Sequence, residues 1–229
     1  MTIDAATIRL VVFDCDGTLV DSQHAIVEAM IQAFAVHSLP LPDAESVRRV
    51  VGLALPEAVA RLMPPEALER LDSVTTAYKD AFTGIRQRPG HEEPLYPGTR
   101  DALKFLLESG AVLGVATGKS RQGLHRVLEV HGLRDSFITL KTADDGPGKP
   151  NPHILLAAMA ETGATPETTV MIGDTTYDIE MAVRARALSI GVAWGYHPSN
   201  ELTVAGALHI AKQYGDLPAL IANLWETGS

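Results

Sequence analysis

Five short apolar runs, each closing on loop-forming residues, limit the folds open to this chain. They are residues 8–13, 112–116, 137–140, 170–172 and 188–193. The last four are separated by one helical pattern each, over residues 121–130, 152–162 and 176–187. The first of these patterns carries Leu124, Val127 and Leu128 on one face. Strand alternating with helix is the mark of a parallel sheet covered on both faces by helices. Val170, Met171 and Ile172 are all apolar, as a strand buried on both faces requires. The expected class is therefore α/β, a Rossmann-like parallel sheet of five to six strands.

The interval between the first and second runs breaks the alternation. From residue 22 to about residue 90 the patterns are helical, with no convincing strand. Ile26, Met30, Ile31 and Phe34 recur at helical spacing, and residues 55–62 and 65–82 also read as helices. Pro56, Pro64 and Pro65 stand near their starts. Seventy residues or so is too much for one crossover, so an inserted all-helical cap is expected over residues 21–90. The core then comprises residues 1–20 and 91–229. The return passes through Pro89-Gly90, Pro94 and Pro97-Gly98, suited to a bent connection, and residues 98–107 resume the core as an amphipathic helix. After Tyr196-His197-Pro198, residues 199–224 alternate turn signals with short apolar segments and are expected at the sheet edge.

Charge narrows the partners. The chain of 229 residues carries a formal net charge of -9. Nucleic acid and anionic membrane both call for a basic face, so neither is expected as a partner. A local cationic site could still take a small anion. A single cysteine permits no internal disulfide. Residues 1–9 hold neither a basic n-region nor a long apolar stretch, which makes the cytoplasm the expected location. The eight histidines show no zinc-ligand spacing.

The chemistry collects at the strand ends, where open α/β sheets bind their ligands. The first run ends in Asp14-Cys15-Asp16-Gly17-Thr18. Residues two apart in an extended segment point the same way, so Asp14 and Asp16 can share a site while Cys15 faces the core. The loops after the next three runs contain Thr117-Gly118-Lys119-Ser120, Gly148-Lys149-Pro150 and Gly173-Asp174-Thr175-Thr176-Tyr177-Asp178. Oxygen ligands of high negative charge suit Mg²⁺ rather than zinc. Thr117 and the Gly118 amide precede a helix and form an anion seat. Lysine supplies a compact cation for a phosphoryl oxygen. Carboxylate nucleophile, divalent cation, phosphate seat and lysine together describe phosphoryl transfer through an aspartyl phosphate.

Four motifs, D-C-D-G-T-L-V-D-S at 14–22, T-G-K-S at 117–120, G-K-P-N-P at 148–152 and G-D-T-T-Y-D at 173–178, stand in the order found in the haloacid dehalogenase superfamily. The chain resembles the branch with a helical cap between the first two motifs, and within it is similar to phosphoglycolate-phosphatase-like hydrolases. The resemblance implies that Asp14 attacks phosphorus and carries the covalent intermediate. It implies that Asp16 protonates the leaving alcohol, then deprotonates water, and touches the metal through its main-chain carbonyl. Asp174 is implied as a direct Mg²⁺ ligand and Asp178 as a support of the metal site. Thr117 and Gly118 hold the phosphoryl group, Lys149 neutralises it, and Thr18 steadies Asp16. The expected reaction is Mg²⁺-dependent hydrolysis of a small phosphorylated metabolite, phosphoglycolate by default. A pyrophosphatase of the same fold and a β-phosphoglucomutase-like isomerase are the alternatives. Oligomeric state is not readable.

Other residues carry plainer expectations. Lys119 is expected at the surface or at a helix N-terminus, and Asp21 with Ser22 as the cap of the first inserted helix. Gln23 and His24 open the insert near the strand end. Gly52-Leu53 resembles a loop that dips into the site, where its apolar character would exclude water. Trp194 and Tyr196 are expected as core or rim.

Overall fold

The computed structural model describes residues 8–227. Six parallel strands form one sheet: β1 (Leu10–Phe13), β2 (Val112–Ala116), β3 (Thr139–Lys141), β4 (Thr169–Gly173), β5 (Leu188–Val192) and β6 (His209–Ala211). Their spatial order is β3-β2-β1-β4-β5-β6. The chain winds outward from β1 in one direction and from β4 in the other, as in Rossmann-type sheets.

β1 shows how a short apolar run specifies both layers. Side chains alternate across a strand, and all four of its residues are fully buried. Val11 and Phe13 face one cluster, with Leu103, Leu124, Leu128 and Leu224. Leu10 and Val12 face the other, with Ile154, Leu155, Met181 and Ala182. The first cluster thus gathers α5 (Thr99–Glu108), α6 (Arg121–Val130) and α10 (Leu217–Thr227). The second gathers α7 (His153–Thr162) and α8 (Thr176–Ala185). Each such fully buried side chain stabilises the fold by about 1.5–3 kcal/mol relative to exposure.

Between β1 and α5 lie α1 (Gln23–Val36), α2 (Ala44–Val50), α3 (Leu55–Leu62) and α4 (Leu71–Arg86). They enclose an apolar cluster of their own, which includes Met30, Phe34, Val47, Val59 and Val74. The helix expected over 65–82 is divided: a 3₁₀ turn at Pro65–Arg70 precedes α4, which runs on to Arg86. α2 is capped by Asp43, whose carboxylate accepts from the Ser46 amide at 2.8 Å. Seven residues are too few to display a helical period, so this helix left no signal beyond its cap.

One edge differs from expectation. β3 begins at Thr139, and Phe137 stands outside the ladder while meeting Phe13 edge-on in the core. Past α9 (Ser199–Ala205), the tail contributes β6 as the sixth strand at the sheet edge. Among the described residues no helix is long and apolar enough to cross a membrane.

Candidate active site

The direction of winding reverses between β1 and β4. Their paired ends, Phe13 and Ile172, set the residues that follow side by side. Asp14 donates its amide to the Ile172 carbonyl at 2.9 Å, carrying the pairing one residue past the strand. Val115 pairs with Phe13 on the other side, so Thr117 arrives at the same level, its amide bonded to the Lys141 carbonyl at 3.0 Å. The turn after Asp16 needs glycine. Gly17 has φ +82°, and a Cβ there would lie 2.2 Å from Asp174 Oδ2.

Four ionisable groups with no more than 1% exposure meet at this point: Asp14, Lys149, Asp174 and Asp178. Lys149 Nζ lies 2.8 Å from Asp14 Oδ1 and 2.5 Å from Asp178 Oδ1. Asp14 Oδ1 also accepts from the Cys15 amide at 2.6 Å. Asp178 Oδ2 accepts from the amide and hydroxyl of Thr175, at 3.0 and 2.7 Å, in a capping box that starts α8. Asp174 accepts from the Thr18 hydroxyl at 2.8 Å and the Tyr196 amide at 3.0 Å. Burial lifts the Asp14 carboxyl to about 6; Lys149 opposes the rise, Asp178 adds to it, and the Thr117 hydroxyl helps to restrain it. Burial, then Asp178 and Asp14, push Asp174 well above the usual carboxylate range. Burial draws Lys149 down, yet Asp14 and Asp178 outweigh it and its ammonium is held more firmly than in water.

This donor set fits a hard cation. Asp14, Asp174 and Asp178 each offer an oxygen, and the three atoms lie within 4.8 Å of one another. Three carboxylates against one lysine leave negative charge buried, which is costly unless a cation sits among them. With oxygen as the only donor element, Mg²⁺ suits the group better than zinc.

Asp16 stands apart from this cluster. Its Oδ1 accepts from the Ser22 hydroxyl at 2.5 Å, and its Oδ2 lies 2.9 Å from Lys119 Nζ. Three expectations are corrected here. Lys119 is not at the surface: its side chain is 7% exposed. Its stem runs past Gly123, where a Cβ would lie 2.9 Å from Lys119 Cγ, and its head lies 5.4 Å from the Phe82 ring centroid. Burial pulls the ammonium down, but Asp16, reinforced by Cys15 and Glu93, raises it on balance. Ser22 precedes α1 without capping it, because its hydroxyl serves the Asp16 carboxylate instead. Thr18 steadies Asp174 rather than Asp16, since the turn at Gly17 carries it to the β4 side.

The remaining candidates divide. Cys15 packs in the core with Val11 and Phe13. Trp194 is wedged between Tyr96 and Tyr214 and donates to the Thr18 carbonyl at 3.2 Å. Tyr196 lies on the rim, its hydroxyl 3.3 Å from that of Ser22. His24 is exposed, and neither it nor Gln23 lines the cavity over Asp14. Gly52 and Leu53 do reach the site. A Cβ on Gly118 would lie 2.5 and 2.6 Å from their carbonyl oxygens, so glycine at 118 is what lets the insert close so far.

The cavity enclosed between insert and sheet has a volume of about 660 Å³. Asp14, Asp16 and Lys119 line its floor, and Met30, Val50, Leu53 and Phe82 its roof. Lys79 and Arg86 of α4 and Arg126 of α6 also line it, although no motif marks them. Residues 79, 83 and 86 form the polar stripe of an amphipathic helix, which in isolation reads as a solvated face.

A doubly wound α/β protein with an acid- and lysine-lined centre at its switch point is thus defined. Residues 11–192 match the haloacid dehalogenase-like hydrolases, and the chain belongs to that family. It is 38% identical over 200 residues to the protein of Dickeya dadantii named Probable phosphatase IndB, covering 86% of each chain. To the phosphoglycolate phosphatase of Vibrio vulnificus it is 29% identical over 215 residues, covering 92% of this chain and 94% of the other. The crystal structure of a hydrolase from Pseudomonas syringae superposes with a TM-score of 0.81 at 25% identity, over 94% of this chain and 98% of that one.

Proposed function

We propose that this protein is a Mg²⁺-dependent phosphatase that hydrolyses a small phosphate monoester through an aspartyl phosphate on Asp14. The carrying observation is the pairing of a buried carboxylate, Asp14, with the buried Lys149 at 2.8 Å, under a cavity into which Asp16 also opens. The relatives named phosphatases support the same reading. Asp14 Oδ attacks phosphorus, and the bond to the leaving oxygen breaks as the new one forms. Asp16 gives that oxygen its proton and then takes one from the water that cleaves the acyl phosphate. Thr117 and the Gly118 amide hold the phosphoryl oxygens, and Lys149 neutralises charge on both Asp14 and the transferring group. Asp14, Asp174 and the Asp16 carbonyl would hold the metal, with Asp178 behind them, and a magnesium ion held there would supply positive charge to offset that of the transferring group. Fixed charges in a water-poor site are worth more than in water, and removing one such donor costs about 10²–10³ in rate.

We divide the chain into an α/β core, residues 1–20 and 91–229, and a cap, residues 21–90, supported by the separate apolar cluster of α1–α4. The apolar loop at 51–55 lines the cavity and favours hydrolysis over retention of a sugar for isomerisation. We place the reaction in the cytoplasm, with phosphoglycolate as the default substrate. A phosphate-release panel with Mg²⁺, repeated with EDTA and with Asp14→Asn, tests the reading. Release that survives the substitution undiminished would overturn the nucleophile assignment.

A further inference from the structure

Lys119 has more hydrogen-bonding capacity than the protein uses. Its ammonium carries three N–H donors. Among the described residues the acceptor found for them is Asp16 Oδ2 alone, at 2.9 Å. Arg86 is in a similar position: its side chain is 9% exposed, Nε and Nη2 are both given to Glu93 at 2.5 Å, and no described residue accepts from Nη1. Both cations lie against the same ring, Arg86 Cζ 4.4 Å and Lys119 Nζ 5.4 Å from the Phe82 centroid. Both line the cavity above Asp14 and Asp16. Lys79 and Arg126 line it as well, but they are exposed, and water serves their donors. Both side chains are largely withdrawn from solvent yet open onto this cavity, so the donors that Asp16 and Glu93 do not take mark where a ligand acceptor belongs.

We propose that Lys119 and Arg86 form a second anion subsite, which receives a carboxylate or phosphate carried on the leaving group of the substrate. The inference rests on the roles assigned above to Asp14 and Asp16. Asp16 faces the leaving oxygen, and Lys119 is bonded to Asp16, so its ammonium lies beside substituents next to that oxygen. The phosphoryl group itself is held on the other side, by Lys149, Thr117 and Gly118. Selection then falls on phosphorylated acids or on pyrophosphate, and neutral esters are handled less well. Gly123 permits this arrangement, because any side chain there would displace the Lys119 stem.

Calorimetric titration with inert phosphonates in the presence of Mg²⁺ tests the subsite without turnover. Three ligands are compared: 3-phosphonopropionate, with a carboxylate in the second position; methylenediphosphonate, with a second phosphonate standing in for phosphate; and propylphosphonate, with neither. The wild-type protein is expected to bind one or both of the doubly anionic ligands more tightly than propylphosphonate, and which one identifies the second group. Lys119→Met, and Lys119→Gln, which keeps a donor for Asp16 without the charge, are expected to weaken the preferred ligand about 10- to 100-fold. Propylphosphonate should change by less than about threefold, which also reports that the variants are folded. Equal binding of all three by the wild type, or parallel loss of all three in the variants, would overturn the subsite while leaving the phosphatase reading intact. If the wild type binds none of them, the phosphoryl seat itself is misassigned and the subsite falls with it.

Discussion

Replacing Lys149 by methionine isolates the central electrostatic feature. The ammonium is fully buried, 2.8 Å from Asp14 and 2.5 Å from Asp178, and methionine fills nearly the same volume without the charge. The variant leaves Asp14, Asp174 and Asp178 buried with no cation from the protein among them. Breaking a buried ion pair by removing one partner costs about 3–5 kcal/mol. For a urea slope of about 2–3 kcal/mol per molar, the unfolding midpoint of the metal-free protein should fall by roughly 1–2.5 M. With the proposed metal site among the same carboxylates, adding magnesium should recover part of the loss, while phosphate release stays at least about 100-fold below wild type. Urea titrations with EDTA and with Mg²⁺, beside a phosphate-release assay, give both quantities. A midpoint shift under about 0.3 M in EDTA would refute the claim that Lys149 is what makes the buried carboxylates tolerable.

Two further outcomes follow from the contacts around the cavity. Gly118→Ala places a methyl group 2.5 Å from the Gly52 carbonyl oxygen, so the loop at 51–55 must withdraw. Overpacking of this kind costs about 1–3 kcal/mol, read as a lower melting temperature, and kcat/KM should drop with it; unchanged melting and kinetics would show that the loop does not close on Gly118. Glu93 is pushed up by burial but brought down to about 2 overall by the Arg86 ion pair and Lys119. Its unfolded value is near 4.5, so the stabilisation is complete above pH 4.5 and is lost as pH falls toward 2. Wild type should lose about 3 kcal/mol over that window beyond what Glu93→Gln loses, measured by urea unfolding at stepped pH.

The sheet was legible because each buried strand must be apolar throughout and each must end in a loop. Asp14 and Asp174 were legible for a related reason: a charged residue at the end of such a strand needs a purpose. Lys149 and Asp178 were legible from the glycine- and proline-marked loop and the helix start that follow β3 and β4. Lys119 and Ser22 were misread because local rules assigned them, and Thr18 because its role was carried over by resemblance. A serine before a helix reads as a cap and a lysine at a helix start reads as solvated, but in the fold the Asp16 carboxylate is nearer to both. Arg86 and Phe82 were invisible as site residues because their place depends on where the four inserted helices lie over the sheet. No local pattern in α4 encodes that placement. α2 escaped for want of length, and β6 because three residues cannot show a period.

The covalent step on Asp14 is the centre of the account. Acid-quenching the enzyme during turnover with Mg²⁺ and mapping the phosphorylated peptide by mass spectrometry examines it directly. The predicted result is one phosphoryl group on the peptide that contains Asp14, absent from Asp14→Asn and from protein quenched without substrate. A phosphoryl group on any other residue, or Asp14→Asn that turns over at the wild-type rate, would contradict the account.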